Sequence, residues 1–358
     1  FTIHGSPFAL DSPALFLRFA MYGRISGLDR QSGVVLADMQ YLDGSEGSCV
    51  VVDDSQKSIG LVVGCVRKRN GNGELVVIYP WTRILNDIGK NLGLPSKYIT
   101  SMSLKPSQSA KATAEIDVVC IITTSTRRGL QWGTGIPLKE TLIVSNDHVV
   151  PEDCTRIRIY WPRTDEQYSV TRRFAPFKGL DMVLLRLERR LTGIKCARLQ
   201  PFVSVGEEVR TVGFGLRNPV TATASLEAKC AEPIWSSGHI TGIVKLALTK
   251  NNAAQEPVMI STSSGCWNGS SGGAILSKCN SEWTLVGMIT SNGRTAGNGI
   301  SRVIPHLGFA IPSNLIYRGW KMIENGEELM VGEQVRALWA MESTHDELYE
   351  PTQLKPRL

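Results

Sequence analysis

Three side chains in this sequence could together carry out acyl transfer: His148, Asp181 and Ser271. A serine hydroxyl attacks a carbonyl only when a base takes its proton. An imidazole serves as that base when a carboxylate holds it in one tautomer. Ser271 lies in the turn Gly269-Ser270-Ser271-Gly272-Gly273, whose glycines let the backbone bend tightly and aim consecutive N–H groups into one pocket. The N–H groups of Gly269 and Ser271 would form the oxyanion hole there, stabilising charge where it develops.

Each residue has a plainer reading when taken alone. Gly/Ser-rich turns are common, a histidine at a strand end is usually packed or solvated, and an aspartate that opens a strand is usually a turn residue. His148 follows the apolar run Leu142 to Ser145, and Asp181 precedes Met182-Val183-Leu184-Leu185, where a carboxylate is costly unless paired. The chain order His, Asp, Ser places the first two in one unit and the serine in the next, with a cleft between. His4, His239, His306 and His345 fit the role less well: they fall in an upstream segment, inside a strand, in a loop and in a polar tail.

Holding three such groups requires rigid elements. Short apolar runs bounded by turn residues predict strands at 117–123, 141–145, 156–161, 182–187, 208–212, 237–246, 258–261, 273–277 and 285–290. That spacing predicts an all-β protein. One helix is expected from Pro312-Ser313-Asn314 to a stop at Gly326. Residues 101–114, rich in Ser, Lys and Ala, read as a linker.

The two sides of that linker resemble one another. Gly23 to Gly27 parallels Gly238 to Gly242, Asp43 to Ser48 parallels Asn268 to Gly273, and Tyr79-Pro80 parallels Ile311-Pro312, in the same order with a slowly growing offset. Residues 1–100 are therefore expected to be the second half of a degenerate copy of the fold. Glu46 stands where the active unit has Ser271, so that copy lacks the nucleophile. The organisation expected is 1–100 inactive half, 101–114 linker, 115–325 active domain and 326–358 tail.

The net charge of +6 comes from scattered basic residues without interleaved aromatics, which predicts a solvated surface and no nucleic-acid partner. Eight isolated cysteines without metal-ligand spacing predict reduced thiols in a non-oxidising intracellular compartment, no bound metal and no cofactor. No apolar run is long enough for a membrane span. The first residue is Phe1, so the natural N-terminus is expected to lie upstream.

Residues 115–325 resemble the trypsin-like protease domains of the HtrA/Deg type. The stretches that carry the likeness are Gly133-Thr134-Gly135, Ser145 to Val150, Leu180 to Leu187, Val205 to Val209, Gly269 to Ala274 and Gly308 to Asn314. The resemblance implies a double β-barrel serine endopeptidase, with His148, Asp181 and Ser271 as its triad. Too few residues follow the helix for the PDZ module such enzymes usually carry. The resemblance also implies that Gly265 floors the S1 pocket, without the charge a preference for Arg or Lys needs. It further implies that Thr290, Ser291 and Asn292 pair with an extended substrate backbone.

Within that group the chain is similar to the peroxisomal, or glyoxysomal, processing proteases. Those combine a degenerate upstream copy with an active downstream one. The C-terminal Pro356-Arg357-Leu358 is similar to a Ser-Lys-Leu address read by a peroxisomal import receptor, with Pro departing from the preferred Ser. The likeness implies action in the peroxisomal matrix, removal of leader peptides from imported precursors and cleavage after Cys, with a homo-oligomer also possible. Two rivals stand beside this expectation: a broader quality-control protease, and a catalytically silent binding module of the same fold.

Overall fold

The structure, a computed structural model, describes residues 1–5, 19–29, 33–39, 41–42, 44–52, 55–66, 75–93, 118–127, 129–162, 164–215, 232–249, 254–279, 282–295 and 302–339. The expected linker, the residues Pro356, Arg357 and Leu358, and Cys230 and His345 lie outside them. Three β units follow one another along the chain.

The upstream unit comprises β1 (Thr2–Gly5), β2 (Phe19–Tyr22), β3 (Arg24–Asp29), β4 (Val34–Asp38), β5 (Cys49–Val52), β6 (Lys57–Val66), β7 (Leu75–Pro80) and helix α1 (Trp81–Asn91). Its strands are ordered β2-β1-β5-β6-β7-β4-β3. The two end strands are separated by Gly23 alone, which exchanges two 3.1 Å backbone hydrogen bonds with Phe1. They are halves of one bent strand, and the sheet curls back on itself around Ile3, Met21, Val50, Val62, Val76 and Ile78.

The next unit is a closed barrel ordered β10-β14-β12-β11-β8-β9. It is built from β8 (Cys120–Thr126), β9 (Gly129–Lys139), β10 (Leu142–Ser145), β11 (Arg156–Trp161), β12 (Glu166–Phe174) and β14 (Val183–Leu187). A short β13 (Phe177–Lys178) precedes β14. In β14 the two-residue strand period decides the packing: Val183, Leu185 and Leu187 fill the barrel, while Leu184 points to the seam with the next unit.

The third unit is a second closed barrel, β15-β16-β17-β20-β19-β18. Its strands are β15 (Glu208–Gly213), β16 (Ile234–Ala247), β17 (Gln255–Thr262), β18 (Ala274–Cys279), β19 (Glu282–Thr295) and β20 (Arg302–Pro312). Helix α2 (Ser313–Asn325) follows, stopped by Gly326 at φ 72° with its N–H on the Ile323 carbonyl. Leu315, Ile316, Gly319 and Met322 form its buried stripe.

The upstream unit and the second barrel share strand order and register. Gly60 opposes Pro80 as Gly287 opposes Pro312, and Val62 opposes Ile78 as Ile289 opposes Ala310. Register shifts recur at Ile25/Gly27 and Ile240/Gly242, and at Val50/Val51 and Ile275/Leu276. A proline caps the following helix in each: Pro80 before α1 and Pro312 before α2.

Three strands escaped the sequence reading for physical reasons. β9 and β20 contain glycines and prolines that read as breaks, and β12 is largely polar because much of it faces solvent. The segment after α2 is also more than a tail. β21 (Leu329–Met330) pairs in parallel with β13, and helix α3 (Glu333–Trp339) follows it. Val331 and Val335 are buried in the core that spans both barrels.

Candidate active site

β10 ends at Ser145, and the chain turns through Asn146, Asp147 and His148 before Val149 and Val150 return to the core. This turn is fastened from several sides. Arg173, on β12, donates through Nε to the Val150 carbonyl at 2.7 Å and through Nη2 to Asp147. Burial pulls the Arg173 guanidinium below its ordinary pKa. Thr124, on β8, donates to the Val149 carbonyl at 3.0 Å.

Asp181 approaches from the loop before β14 and uses both oxygens on His148. Oδ1 accepts from the His148 backbone N–H at 2.9 Å, and Oδ2 accepts from Nδ1 at 2.7 Å. With Nδ1–H committed to the carboxylate, Nε2 carries the lone pair a general base needs. Burial pulls the His148 imidazole down, but the charge and hydrogen bond of Asp181 outweigh it and leave the pKa above the ordinary 6.5. The side chain is 50% exposed, so proton traffic with solvent is open.

The Gly269 to Gly273 turn lies at the start of β18. Gly269 and Gly272 take left-handed φ values of 90° and 80°. A Cβ at Gly269 would fall 1.9 Å from the Trp132 ring, and one at Gly272 would fall 2.0 Å from the Thr134 carbonyl. Both positions therefore admit only glycine. The N–H groups of Ser270, Gly272 and Gly273 are spent on Trp267, Ile289 and Ser270 carbonyls. Among the described residues those of Gly269 and Ser271 donate to no protein acceptor, which leaves both free for an oxyanion.

Residues on β9 and β10 that carried no chemical signal of their own turn out to hold this turn. Thr134 N–H donates to the Ser271 carbonyl at 2.8 Å, and its hydroxyl donates to the Gly269 carbonyl at 2.7 Å while accepting from Phe214 N–H at 2.9 Å. Ser145 donates to the Thr134 carbonyl at 2.7 Å. Asn146, fully buried, donates through Nδ2 to the Asp181 carbonyl at 2.9 Å and to Thr290 Oγ1 at 3.3 Å. In the sequence these residues stood out only as parts of Gly133-Thr134-Gly135 and Ser145 to Val150, two of the stretches that carry the family likeness.

The structure thus joins His148 to Asp181, and the turn that carries Ser271 meets the loop that carries His148. A Cβ at Gly133 would sit 2.6 Å from Val149 and 3.2 Å from the Ser271 carbonyl, so the two loops meet there. Ser271 Oγ donates to the Thr290 carbonyl at 3.4 Å, and among the described residues no hydrogen bond joins it to His148. Long contacts of this kind are usual before substrate binds. Thr290 is buried, while Ser291 and Asn292 are half-buried and pair with Phe309 and Gly308 across β20. β18 pairs with β19 only as far as Met288, so the other edge of 290–292 carries no strand partner.

Residues 133–288 match the trypsin-like peptidase domain family. The matched stretch includes His148, Asp181 and Ser271 and runs through strands of both closed barrels. Over nearly its whole length the chain is also similar to two curated relatives, each named peroxisomal leader peptide-processing protease. One, from Mus musculus, is 24% identical over 381 residues and covers 94% of this chain. The other, from Homo sapiens, is 25% identical over 370 residues and also covers 94%. The chain spans 59% of the length of each. Among solved structures it is similar to the HtrA-type protease AlgW with a tripeptide, at 18% identity and TM-score 0.44, covering 62% of this chain and 65% of that one. It is also similar to an active-form protease from M. tuberculosis, at 15% identity and TM-score 0.43, covering 62% of this chain and 86% of that one.

Among the described residues Cys49, Cys154, Cys196 and Cys279 are free thiols. No helix among the described residues is long and apolar enough to cross a membrane.

Proposed function

We propose that the chain is a serine endopeptidase acting through an acyl-enzyme, with Ser271 as nucleophile, His148 as base and Asp181 as its orienting carboxylate. One observation carries this reading: both Asp181 oxygens are spent on His148 while the N–H groups of Gly269 and Ser271 stand free. Ser271 attacks the scissile carbonyl as its proton passes to His148 Nε2. The carbonyl oxygen, now negative, settles between the two free N–H groups. Collapse expels the amine, which takes the proton from His148, and water then releases the acid by the same route.

Substrate backbone adds to the open edge of residues 290–292, and the first residue before the cut points toward Gly265. Gly265 is uncharged, which favours a small or sulfur-containing side chain there. The two curated relatives are named for leader-peptide processing in peroxisomes, and our reading for this chain is limited processing of imported precursors in the matrix, with cleavage after Cys. Residues 1–100 are the corresponding barrel of a copy that has lost its nucleophile: Gly44 and Gly47 repeat the positive φ of Gly269 and Gly272, and Glu46 lies between them.

Incubating the protein with candidate peroxisomal precursors and sequencing the new N-termini tests the proposal. Cuts at few sites, each preceded by Cys, are expected. Extensive degradation of unfolded casein to small fragments would instead point to a quality-control protease.

A further inference from the structure

We propose that Asp38, on the nucleophile-less upstream unit, is a positioning residue for the S1 wall of the peptidase domain. The inference rests on the reading of Ser271 as nucleophile and Gly265 as the pocket floor, and adds a role for a unit that performs no chemistry itself.

Asp38 ends β4 and is 9% exposed. Its Oδ2 accepts from the Ser236 hydroxyl at 2.6 Å and from Ser237 N–H at 3.1 Å, both on β16. The Ser236 oxygen in turn accepts from Gly265 N–H at 2.7 Å. A serine hydroxyl has a single proton. Because Asp38 takes it, the Ser236 lone pairs face Gly265, and the charged acceptor polarises the hydroxyl into a stronger acceptor itself. Thr211 completes the polar frame, its hydroxyl lying 3.4 Å from the Ser236 carbonyl and 3.3 Å from that of Gly265.

The apolar side of the same segment is held by the same unit. Trp267 is buried with Leu75 and Ile234, and Leu36 and Val66 pack against them. A Cβ at Gly265 would meet the Trp267 ring at 3.0 Å, so the indole lies directly against the pocket floor. Residues 265–267 are therefore gripped by Asp38 through hydrogen bonds and by Leu75 through packing. Arg24 frames the contact, pairing with Glu208 at 3.0 Å and reaching the Ser237 hydroxyl at 3.4 Å.

Stability alone does not favour this arrangement. Asp38 Oδ1 is buried and accepts no hydrogen bond among the described residues, a condition that costs desolvation without return. What the carboxylate does achieve is a fixed Ser236 rotamer and a fixed Gly265 peptide, and the side chain to be recognised would press on that peptide. The inactive barrel then acts as a brace for specificity.

The test uses the whole chain and peptide substrates that differ only in the residue before the cut: Gly, Ala, Cys or Met. Asp38→Ala and Ser236→Ala should each lower kcat/KM about tenfold for the substrates with a side chain, chiefly through KM. The Gly substrate has nothing to place in the pocket and should stay within about twofold. The double variant should be no worse than either single one, because one relay is broken in both. Asp38→Asn, which keeps an acceptor oxygen, should recover most of the loss. A wild-type side-chain profile in Asp38→Ala, or an equal fall on all four substrates, would overturn the proposal. If Asp38→Ala does not fold, Ser236→Ala breaks the relay with the barrel contact intact, and an unchanged profile there overturns it equally. Labelling of wild-type Ser271 by a small fluorophosphonate separates the two readings. No labelling defeats the nucleophile assignment, whereas labelling with an unchanged profile defeats only the brace.

Discussion

The Thr134 hydroxyl donates a 2.7 Å hydrogen bond to the Gly269 carbonyl, which lies 135 residues further along the chain. This bond crosses from the first barrel to the turn that carries Ser271, the proposed nucleophile. It fixes the peptide between Gly269 and Ser270, as Thr134 N–H on the Ser271 carbonyl fixes the one between Ser271 and Gly272, so Thr134 holds the backbone on both sides of the proposed oxyanion donors. The turn around Ser271 is therefore shaped by both barrels.

Thr134→Val keeps the shape of the side chain and removes the donor. The Gly269 carbonyl and Phe214 N–H then lose a partner in a buried place. We expect kcat to fall by about one to two orders of magnitude with KM little changed, since the oxyanion exists only after attack. Peptide hydrolysis with circular dichroism as the fold control measures this.

The pH dependence follows from the raised His148 pKa. The base works only when neutral, so the acid limb of kcat/KM should lie above pH 6.5. Asp181→Asn should shift that limb downward and lower kcat by about four orders of magnitude. The sign for stability is opposite. Protonated His148 is favoured in the folded state, so its contribution is complete below the unfolded pKa and fades as pH rises through the folded one. Rate profiles and melting curves across the same pH range would show the two trends crossing.

Gly269→Ala places a methyl group against Trp132 at a left-handed φ. About 1–3 kcal/mol of backbone strain is expected, before the clash is counted. Loss of serine labelling together with a lowered Tm would agree. An active, equally stable variant would not.

The segment after α2 should matter for stability although none of the candidate catalytic residues lies in it. Val335 is fully buried in the core between the barrels. Val335→Asp buries an unpaired carboxylate and is expected to lower stability by about 3 kcal/mol or more, or to prevent folding. Denaturant titration measures it, and a wild-type midpoint would show that α3 does not hold the core.

The legibility of the sequence was uneven for identifiable reasons. His148, Asp181 and Ser271 stood out because their types are chemically rare in combination and their flanking strands are apolar. β14 was readable as a continuous apolar run buried on both faces, and α2 because its buried positions follow the helical period. Thr134 and Asn146 were not, since an uncharged polar residue shows its role only when its partner, on a distant strand, is known. Asp38 was hidden for the same reason: its partner Ser236 is 198 residues away. β9 was lost to its own glycines, although a Cβ at Gly133 or Gly135 would collide with Val149 or Ile122.

The most direct test of the central claim is intact-mass analysis after exposure to a fluorophosphonate. Wild type should gain one adduct, mapped by peptide sequencing to Ser271, with Ser271→Ala gaining none and His148→Ala labelling far more slowly. Folded wild type that gains no adduct, or an adduct that persists in Ser271→Ala, would contradict it.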